Sequence, residues 1–241
     1  MIFVFPENIS VSVVLDKLLN NEHLTFQESY DFIFSIEEEL HSPEVISGIL
    51  MIIQMRGVQL KEMHGFRSAL LNLALPVELE SENAIDLCGT GGDGKNSFNI
   101  STTTALVLAS MGKKVIKHGN YGVSSISGSS NVMEKMGIKF SNDAGFLEKC
   151  MEKAGICILH APLFHPAMKN VGPIRKELGV KTFFNMLGPM VNPAFPQNQL
   201  VGVFNLELAR MYAYLYQNTD RNFTILHSLD GYDEVSLTCP T

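Results

Sequence analysis

The stretch that decides the fold runs from Ala84 to Thr102 and reads AIDLCGTGGDGKNSFNIST. Its first four residues are apolar apart from Asp86, and they predict a short strand. The glycine-rich segment that follows predicts a loop, and the residues from Ile100 onward predict a helix. A strand that leads through such a loop into a helix is typical of α/β proteins, and the backbone N–H groups at the helix start can bind an anion.

Short apolar runs and helical stretches alternate beyond this segment. Strands are predicted at Ala84–Leu87, Val115–Ile116, Ile138–Phe140, Ile156–Leu159, Leu200–Phe204 and Phe223–His227, with helices near 100–111, 130–136, 145–154 and 206–217. This order predicts a mostly parallel sheet covered by helices. Residues 161–196 are rich in proline and predict helix and loop rather than sheet.

The first 75 residues predict helices only. Thr25 and Glu28 form a T-x-x-E capping box, and Ser42-Pro43 is a second helix start, with Ser as the N-cap. Apolar residues then recur at helical spacing, at Ile46, Ile49, Leu50 and Ile53.

The net charge of −7 is unevenly distributed. Residues 1–80 carry −8, whereas the window 88–181 carries +6. The acidic total argues against a general nucleic-acid coat protein, and the basic middle favours an anionic ligand. Four scattered cysteines without a C-x-x-C pattern, no basic signal sequence and no long apolar run predict a cytoplasmic protein without a membrane span.

Two familiar nucleotide motifs nearly match the glycine-rich loop. Gly89, Gly91 and Gly94 satisfy the dinucleotide pattern G-x-G-x-x-G, but no acidic residue follows at the distance that a ribose contact needs. The same loop almost completes a P-loop, but Asn96 stands where Ser or Thr is required. An ordinary tight turn and a site for a phosphorylated sugar are the readings left open. Hydroxyl and amide side chains at the helix start favour the sugar phosphate, although one of them is also expected to cap the helix.

Several separate motifs, in order, resemble the anthranilate phosphoribosyltransferase family. They are GTGGDG with NIST, Lys117-His-Gly-Asn120, Ser124-Ser125 with Gly128-Ser129-Ser130, the segment HPAMKNVGPIRKELGVKTFFNMLGPMVNPA at 165–194, and Asp230-Gly-Tyr-Asp-Glu-Val-Ser236. The resemblance extends from about residue 11 to the end of the sequence.

The resemblance implies an α/β fold of two domains joined by a hinge. A small α-helical domain would comprise residues 1–75, with helices from 161–185 returning to it. A larger domain with a mostly parallel sheet would comprise 76–160 and 186–241. The implied reaction transfers the phosphoribosyl group of 5-phosphoribosyl 1-diphosphate to anthranilate, with Mg²⁺, in tryptophan biosynthesis. The implied assembly is a homodimer formed through the helical domain.

The resemblance also implies residue roles. The positions matched to phosphoribosyl diphosphate contacts are Gly89, Gly92, Asp93, Ser97, Asn99, Ile100, Ser101, Thr102, Lys117, His118, Gly119, Asn120, Ser124, Ser125 and Ser129. Lys117 is expected to act electrostatically on phosphate oxygens, and no side chain is expected to serve as nucleophile or general base. His118 is expected to orient or cap, and His165 to cap the helix that begins at Pro166.

Anthranilate contacts are implied at Gly89, Asn120 and Arg175, because a guanidinium can hold a carboxylate through two hydrogen bonds. The alternative for Arg175 is a surface ion pair, for example with Glu177. The metal ligands implied are Ser101, Asp233 and Glu234. Without the resemblance, an Asp-Glu pair is more typical of a solvated turn.

Two features depart from the family pattern. Tyr121 stands where many members have arginine, which removes a cation from the phosphate side. Family chains usually continue for roughly another hundred residues, so the sequence is expected to lack the C-terminal part of the α/β domain. Two other readings stay open: an enzyme like pyrimidine nucleoside phosphorylase, and a non-catalytic relative that binds nucleic acid.

Overall fold

The computed structural model describes residues 10–79, 83–95, 97–122 and 127–241. The chain divides into two compact units, of which the first comprises Met1–Ala74 with His165–Leu187 and the second Leu75–Phe164 with Gly188–Thr241. No helix in the described ranges combines the length and the apolar composition that crossing a membrane requires.

The first unit is helical. Its described helices are α1 (Val11–Leu19), α2 (Phe26–Glu37), α3 (Pro43–Arg56), α4 (Leu60–Leu73), α9 (Pro166–Leu178) and α10 (Phe183–Leu187). The capping box that opens α2 is confirmed, since Thr25 Oγ1 accepts the Glu28 N–H at 3.2 Å and Glu28 Oε2 accepts the Thr25 N–H at 2.8 Å. Ser42 occupies the N-cap of α3, but its side chain makes no capping hydrogen bond.

The second unit contains a sheet whose five described strands are all parallel. They are β1 (Ala84–Leu87), β2 (Lys114–Gly119), β3 (Ile156–His160), β4 (Asn198–Gly202) and β5 (Asn222–Leu226), and their order in the sheet is β3-β2-β1-β4-β5. The remaining helices described in this unit are α5 (Ile100–Ser110), α6 (Ser129–Lys135), α7 (Ala144–Ala154), α8 (Ala161–Phe164) and α11 (Leu206–Tyr216), with a 3₁₀ turn at Gly188–Met190.

Apolar side chains pack on both faces of this sheet. Val115 belongs to a buried cluster with Leu87 and Ala105, whereas the next residue, Ile116, belongs to a second cluster with Leu159. Successive residues of a strand point to opposite faces, so β2 contributes to both clusters. Burial on both faces explains why consecutive apolar residues occur in the strand, as at Val115-Ile116.

The predicted α/β fold with a parallel sheet is confirmed, and one predicted strand is wrong. Residues Ile138–Phe140 form no strand. The chain turns at Gly137, whose φ is 84°, and the ring of Phe140 stacks on His160 with 4.6 Å between ring centroids. Strands β2 and β3 therefore pair directly, and the short apolar run contributes a ring contact instead of a sixth strand.

Candidate active site

The glycine-rich loop follows β1 at the edge of the sheet where the parallel strands end. Strand β1 stops at Leu87, β4 stops at Gly202, and the Thr90 N–H donates to the Gly202 carbonyl at 2.9 Å. The loop then takes three positive φ angles at Gly91, Gly92 and Gly94. Such angles are costly for other residues, so the glycines determine the course of the loop. Ligands of parallel α/β sheets bind at this edge.

The Asp233-Glu234 pair reaches the same edge from the segment after β5. The carboxylate of Asp233 accepts a hydrogen bond from the Gly91 N–H, and the carboxylate of Glu234 accepts one from the Ser101 N–H. A Cβ added to Gly89 would lie 3.2 Å from Asp233 Oδ2. A hydrogen bond therefore joins Ser101 to Glu234, and Asp233, the next residue in the chain, lies against the glycine-rich loop.

The carboxylates at this edge repel one another. Burial, followed by the nearby Asp93, raises the pKa of Asp233 to about 6. Burial, followed by Asp233, raises the pKa of Glu234 to about 7. In each case burial and the neighbouring carboxylate disfavour the negative form.

Oxygen donors in this arrangement fit Mg²⁺. Among the described residues, no group of three or more His, Cys, Asp or Glu side chains forms a complete metal site. Mg²⁺ that is bound together with phosphates takes only one or two protein carboxylates, so a pair such as Asp233 and Glu234 matches the ion's requirement.

Lys117 lies inside the sheet, and only 2% of it is exposed. Its ammonium group donates a hydrogen bond to the carbonyl of Leu87, the residue from which the glycine-rich loop begins. Its positive charge lowers the pKa of Asp86 and of Glu234. Lys117 thus places a buried cation under the start of the loop, where it acts on anionic groups by charge.

Sequence reasoning missed the buried polar pair behind Lys117. Asp86 is fully buried, and burial raises its pKa to about 6 against the lowering effects of Lys117 and Asn192. Asn192 Nδ2 donates to Asp86 Oδ2 at 3.0 Å and to the Ile116 carbonyl at 2.9 Å. Asn192 belongs to the motif at 165–194, and this was the sequence feature that could have indicated its importance. Its contact with Asp86 could not be predicted, because 106 positions separate the two residues and no local pattern links them.

The residues after β2 form a second part of the site. His118 is buried, and its Nδ1 lies 2.9 Å from the Gly188 carbonyl oxygen, which suits the expected orienting role. The carbonyl of Asn120 accepts the Ser129 hydroxyl at 3.4 Å. A Cβ at Gly119 would lie 2.4 Å from Ser129 Oγ, so the absence of a side chain there allows this close approach. Gly119, Asn120 and Ser129 are therefore neighbours.

The start of α5 differs in detail from expectation. Asn99 occupies the N-cap, but its side chain makes no capping hydrogen bond and instead donates to the Ser127 carbonyl at 3.4 Å. Thr102 is buried and Ser97 is exposed. Ser124 and Ser125, also expected to contact phosphate, lie outside the described residues.

Arg175 belongs to α9 in the helical unit and is only 4% exposed, so the alternative of a surface ion pair is wrong. One guanidinium nitrogen donates to Asn185 Oδ1 at 3.2 Å, and the group lies 5.4 Å from the ring centre of Phe184. Burial lowers the pKa of Arg175 to about 10, which keeps the side chain cationic at neutral pH. Its buried Nε has no hydrogen-bond partner among the described residues.

Two histidines differ from the sequence expectation. His165 stands at the N-cap of α9, but its side chain makes no capping hydrogen bond, and its Nδ1 lies 3.3 Å from the Leu70 carbonyl oxygen. The sequence indicates no obvious partner for His160, whereas in the structure its Nδ1 lies 2.8 Å from Ser130 Oγ.

Comparison with known proteins covers almost the whole chain. The sequence profile described as "Glycosyl transferase family, helical bundle domain" matches residues 12–74, and the profile described as "Glycosyl transferase family, a/b domain" matches residues 81–241. The anthranilate phosphoribosyltransferase of Flavobacterium johnsoniae is 68% identical over 231 residues, which cover 96% of this chain and 70% of that protein.

Solved structures of anthranilate phosphoribosyltransferases are similar to this chain as well. The anthranilate phosphoribosyltransferase of Thermus thermophilus superposes with a TM-score of 0.79 at 35% identity, over 93% of this chain and 68% of that one. The enzyme of Saccharomyces cerevisiae in complex with PRPP and Mg superposes with a TM-score of 0.82 at 29% identity, over 95% and 69% of the two chains.

Proposed function

The chain belongs to the anthranilate phosphoribosyltransferase family, and from that premise we propose that it transfers the 5-phosphoribosyl group of 5-phosphoribosyl 1-diphosphate to the amine of anthranilate. Diphosphate is released, and the reaction serves tryptophan biosynthesis. The observation that carries the proposal is the meeting of the glycine-rich loop with Asp233 and Glu234 where the strands end.

The phosphoribosyl diphosphate would bind to the α/β unit. The loop from Gly89 to Asp93 and the residues from Ser97 to Thr102 are proposed to contact its phosphate and ribose oxygens. Gly119, Asn120 and Ser129 supply a second group of polar contacts, to which the family resemblance adds His118, Ser124 and Ser125. Lys117 contributes positive charge from within the sheet, because a buried charge acts through a medium of low dielectric constant.

Mg²⁺ is proposed as the metal, held by Asp233, Glu234 and the Ser101 hydroxyl. When bound, the ion neutralises negative charge on the diphosphate. The protein's own part is to keep both carboxylates at the edge of the sheet, through the N–H groups of Gly91 and Ser101.

Anthranilate is proposed to be recognised through its carboxylate by Arg175, with contacts from Gly89 and Asn120. A guanidinium presents two parallel N–H donors to a carboxylate, and a buried one already has its rotamers restricted.

The reaction needs no protein nucleophile. The aryl amine of anthranilate is neutral near pH 7 and carries a free lone pair, so it can attack C1 of the ribose as diphosphate leaves. The bond from C1 to the diphosphate oxygen breaks as the bond from C1 to nitrogen forms, and the nitrogen then loses one proton to the released diphosphate or to water. The residues of this chain then contribute by positioning the substrates and by stabilising the charge that develops on the leaving group.

A cytoplasmic homodimer is part of the proposal. All four cysteines are free thiols, as expected in a reducing compartment. Val13 and Leu19 on α1 and Met55 on α3 are 45%, 72% and 84% exposed, and such apolar side chains favour a partner surface on the helical unit.

The proposal is tested by following the fluorescence of anthranilate in the presence of Mg²⁺. We expect the fluorescence to fall only when phosphoribosyl diphosphate is added, with one diphosphate released for each anthranilate consumed. Phosphate-dependent cleavage of thymidine or uridine without anthranilate consumption would instead support a nucleoside phosphorylase. Salt-sensitive binding of single-stranded DNA without turnover would support a binding protein.

A further inference from the structure

A group of aromatic and polar side chains surrounds His160, beside the residues assigned to substrates. His160 is the last residue of β3 and is 6% exposed. Its ring stacks on Phe140 with centroids 4.6 Å apart and forms a T-shaped contact with the Tyr121 ring at 4.7 Å. Its Nδ1 lies 2.8 Å from the hydroxyl of Ser130, which is fully buried. The imidazole is thus held by two aromatic rings and at one nitrogen.

These contacts connect His160 to two proposed ligand residues. Ser130 follows Ser129, and the Ser130 N–H donates to the Asn120 carbonyl at 3.1 Å. Tyr121 follows Asn120, and its hydroxyl donates to the Glu134 carboxylate at 2.6 Å. One side chain therefore supports both segments from which Asn120 and Ser129 reach the site.

The adjoining backbone is held by Asn131. Its Oδ1 accepts the N–H of Gly122 at 3.0 Å and the N–H of Gly128 at 2.9 Å. Gly128 lies so close that an added Cβ would be 2.3 Å from the Gly122 nitrogen. The segments on either side of residues 123–126 are thus joined, and a shift of Ser130 displaces both of them.

Packing alone does not require a histidine at this position. Phenylalanine would stack on Phe140 equally well, so the feature specific to histidine is the hydrogen bond from Nδ1 to Ser130. Burial lowers the pKa of His160, against the raising effect of Glu134, and this keeps the ring neutral at neutral pH. A neutral imidazole nitrogen can accept the Ser130 hydroxyl proton or donate to its oxygen.

We propose that His160 is a positioning residue for 5-phosphoribosyl 1-diphosphate, acting through Ser130 on Asn120 and Ser129. This inference rests on the proposed function. His160 touches no reacting atom, so its removal weakens binding of the diphosphate substrate and leaves the chemical step nearly unchanged.

The test compares His160→Phe, His160→Asn, Ser130→Ala and the double variant His160→Phe with Ser130→Ala. His160→Phe keeps the ring and removes Nδ1, whereas asparagine restores a polar group near the position of Nδ1. Loss of one buried hydrogen-bond partner predicts an increase of about five- to thirtyfold in KM for phosphoribosyl diphosphate in His160→Phe and in Ser130→Ala. The value of kcat should stay within about twofold of wild type, because positioning affects the affinity for bound substrate rather than the chemistry. KM for anthranilate should rise less than KM for phosphoribosyl diphosphate, since Asn120 is only one of its proposed contacts.

Two further results are specific to positioning. His160→Asn should recover most of the affinity, and the double variant should be no worse than the poorer single variant, since both changes remove the same hydrogen bond. His41→Phe, the same substitution in the helical unit, is the matched control and should leave both KM values unchanged.

A wild-type KM for phosphoribosyl diphosphate in His160→Phe would overturn the proposal. Additive increases of this KM in the double variant would overturn it too, and so would a fall of both kcat and melting temperature that has the same size in every variant. If His160→Phe does not fold, Ser130→Ala and His160→Asn decide the question, since each is a smaller change. An inactive wild type counts against the proposed function alone. Titration calorimetry with phosphoribosyl diphosphate and Mg²⁺ on the same variants then decides the role of His160, and absence of binding to the wild type would overturn both proposals.

Discussion

A Cβ added to Gly202 would lie 1.5 Å from the carbonyl oxygen of Asp233, so the end of β4 is in direct contact with the turn that carries the paired carboxylates. The same Gly202 carbonyl accepts the Thr90 N–H of the glycine-rich loop. One glycine therefore holds together the two segments that are proposed to bind the diphosphate and its metal.

Replacing Gly202 by alanine is expected to reduce activity about 100-fold, because the Asp233 backbone has to move by more than 1 Å to admit a methyl group. Anthranilate consumption at saturating substrate measures the loss, and circular dichroism reports whether the fold survives. Gly48→Ala is the control, since an added Cβ there meets nothing within 4 Å. Full activity in Gly202→Ala would mean that the turn adapts freely.

The carboxylate pair predicts a characteristic pH dependence in the absence of metal. The folded pKa values of about 6 for Asp233 and about 7 for Glu234 exceed the ordinary values of 3.8 and 4.5. Between these limits the folded state holds more protons than the unfolded state, so the pair destabilises the protein increasingly as pH rises from about 4 to about 7. The double variant Asp233→Asn with Glu234→Gln should therefore gain melting temperature over wild type, more at about pH 8 than at about pH 5.

Saturating Mg²⁺ with diphosphate should reduce that gain by stabilising only the wild type, because the bound cation favours the ionised carboxylates. Differential scanning calorimetry at several pH values measures both effects. A difference in melting temperature between variant and wild type that does not change with pH would contradict the raised pKa values of Asp233 and Glu234.

Lys117→Met is expected to lower the free energy of unfolding by about 3 kcal/mol or more at neutral pH, because it removes the cation that balances buried Asp86. The pKa of Asp86, already raised to about 6, should rise further. The loss of unfolding free energy relative to wild type should accordingly become smaller as pH falls through the pKa of Asp86 and its carboxylate takes up a proton. Urea denaturation at pH values on either side of 6 tests this, with the exposed Lys113→Met as the control. Equal destabilisation by both variants would argue against a special role for Lys117.

Arg175→Ala is expected to raise KM for anthranilate at least about tenfold while leaving KM for phosphoribosyl diphosphate nearly unchanged, since a charged hydrogen bond contributes about 1.5–3 kcal/mol. Aniline, which lacks the carboxylate, separates this role from general packing. The variant and the wild type should use aniline equally poorly. Lys176→Ala, at the exposed neighbouring position, should behave as wild type toward both substrates. A rise in KM for both substrates would show that Arg175 acts on the fold instead.

Local patterns were sufficient for the elements and for the family. The glycine run, the capping box at Thr25 and the apolar runs indicated where strands and helices begin, because these signals depend on residues close together in the chain. They failed at Ile138–Phe140, where Ile138 and Phe140 on either side of Lys139 fit a strand equally well, but the ring of Phe140 stacks on His160 instead. Short apolar runs do not determine their partners.

The motifs also determined which residue types the site would contain, whereas the tertiary structure decided how they act. The motif predicts that Lys117 acts by charge on phosphate, and only the sheet shows it buried beside Asp86 and hydrogen-bonded to Leu87. The contacts of Asn192 with Asp86 and of His160 with Ser130 join residues 106 and 30 positions apart. Such contacts depend on strand order and on which side chains share a buried space, and desolvation in that space shifts the pKa values. The sequence alone thus determined the chemistry that is available, and packing decided which groups meet and how strongly their charges interact.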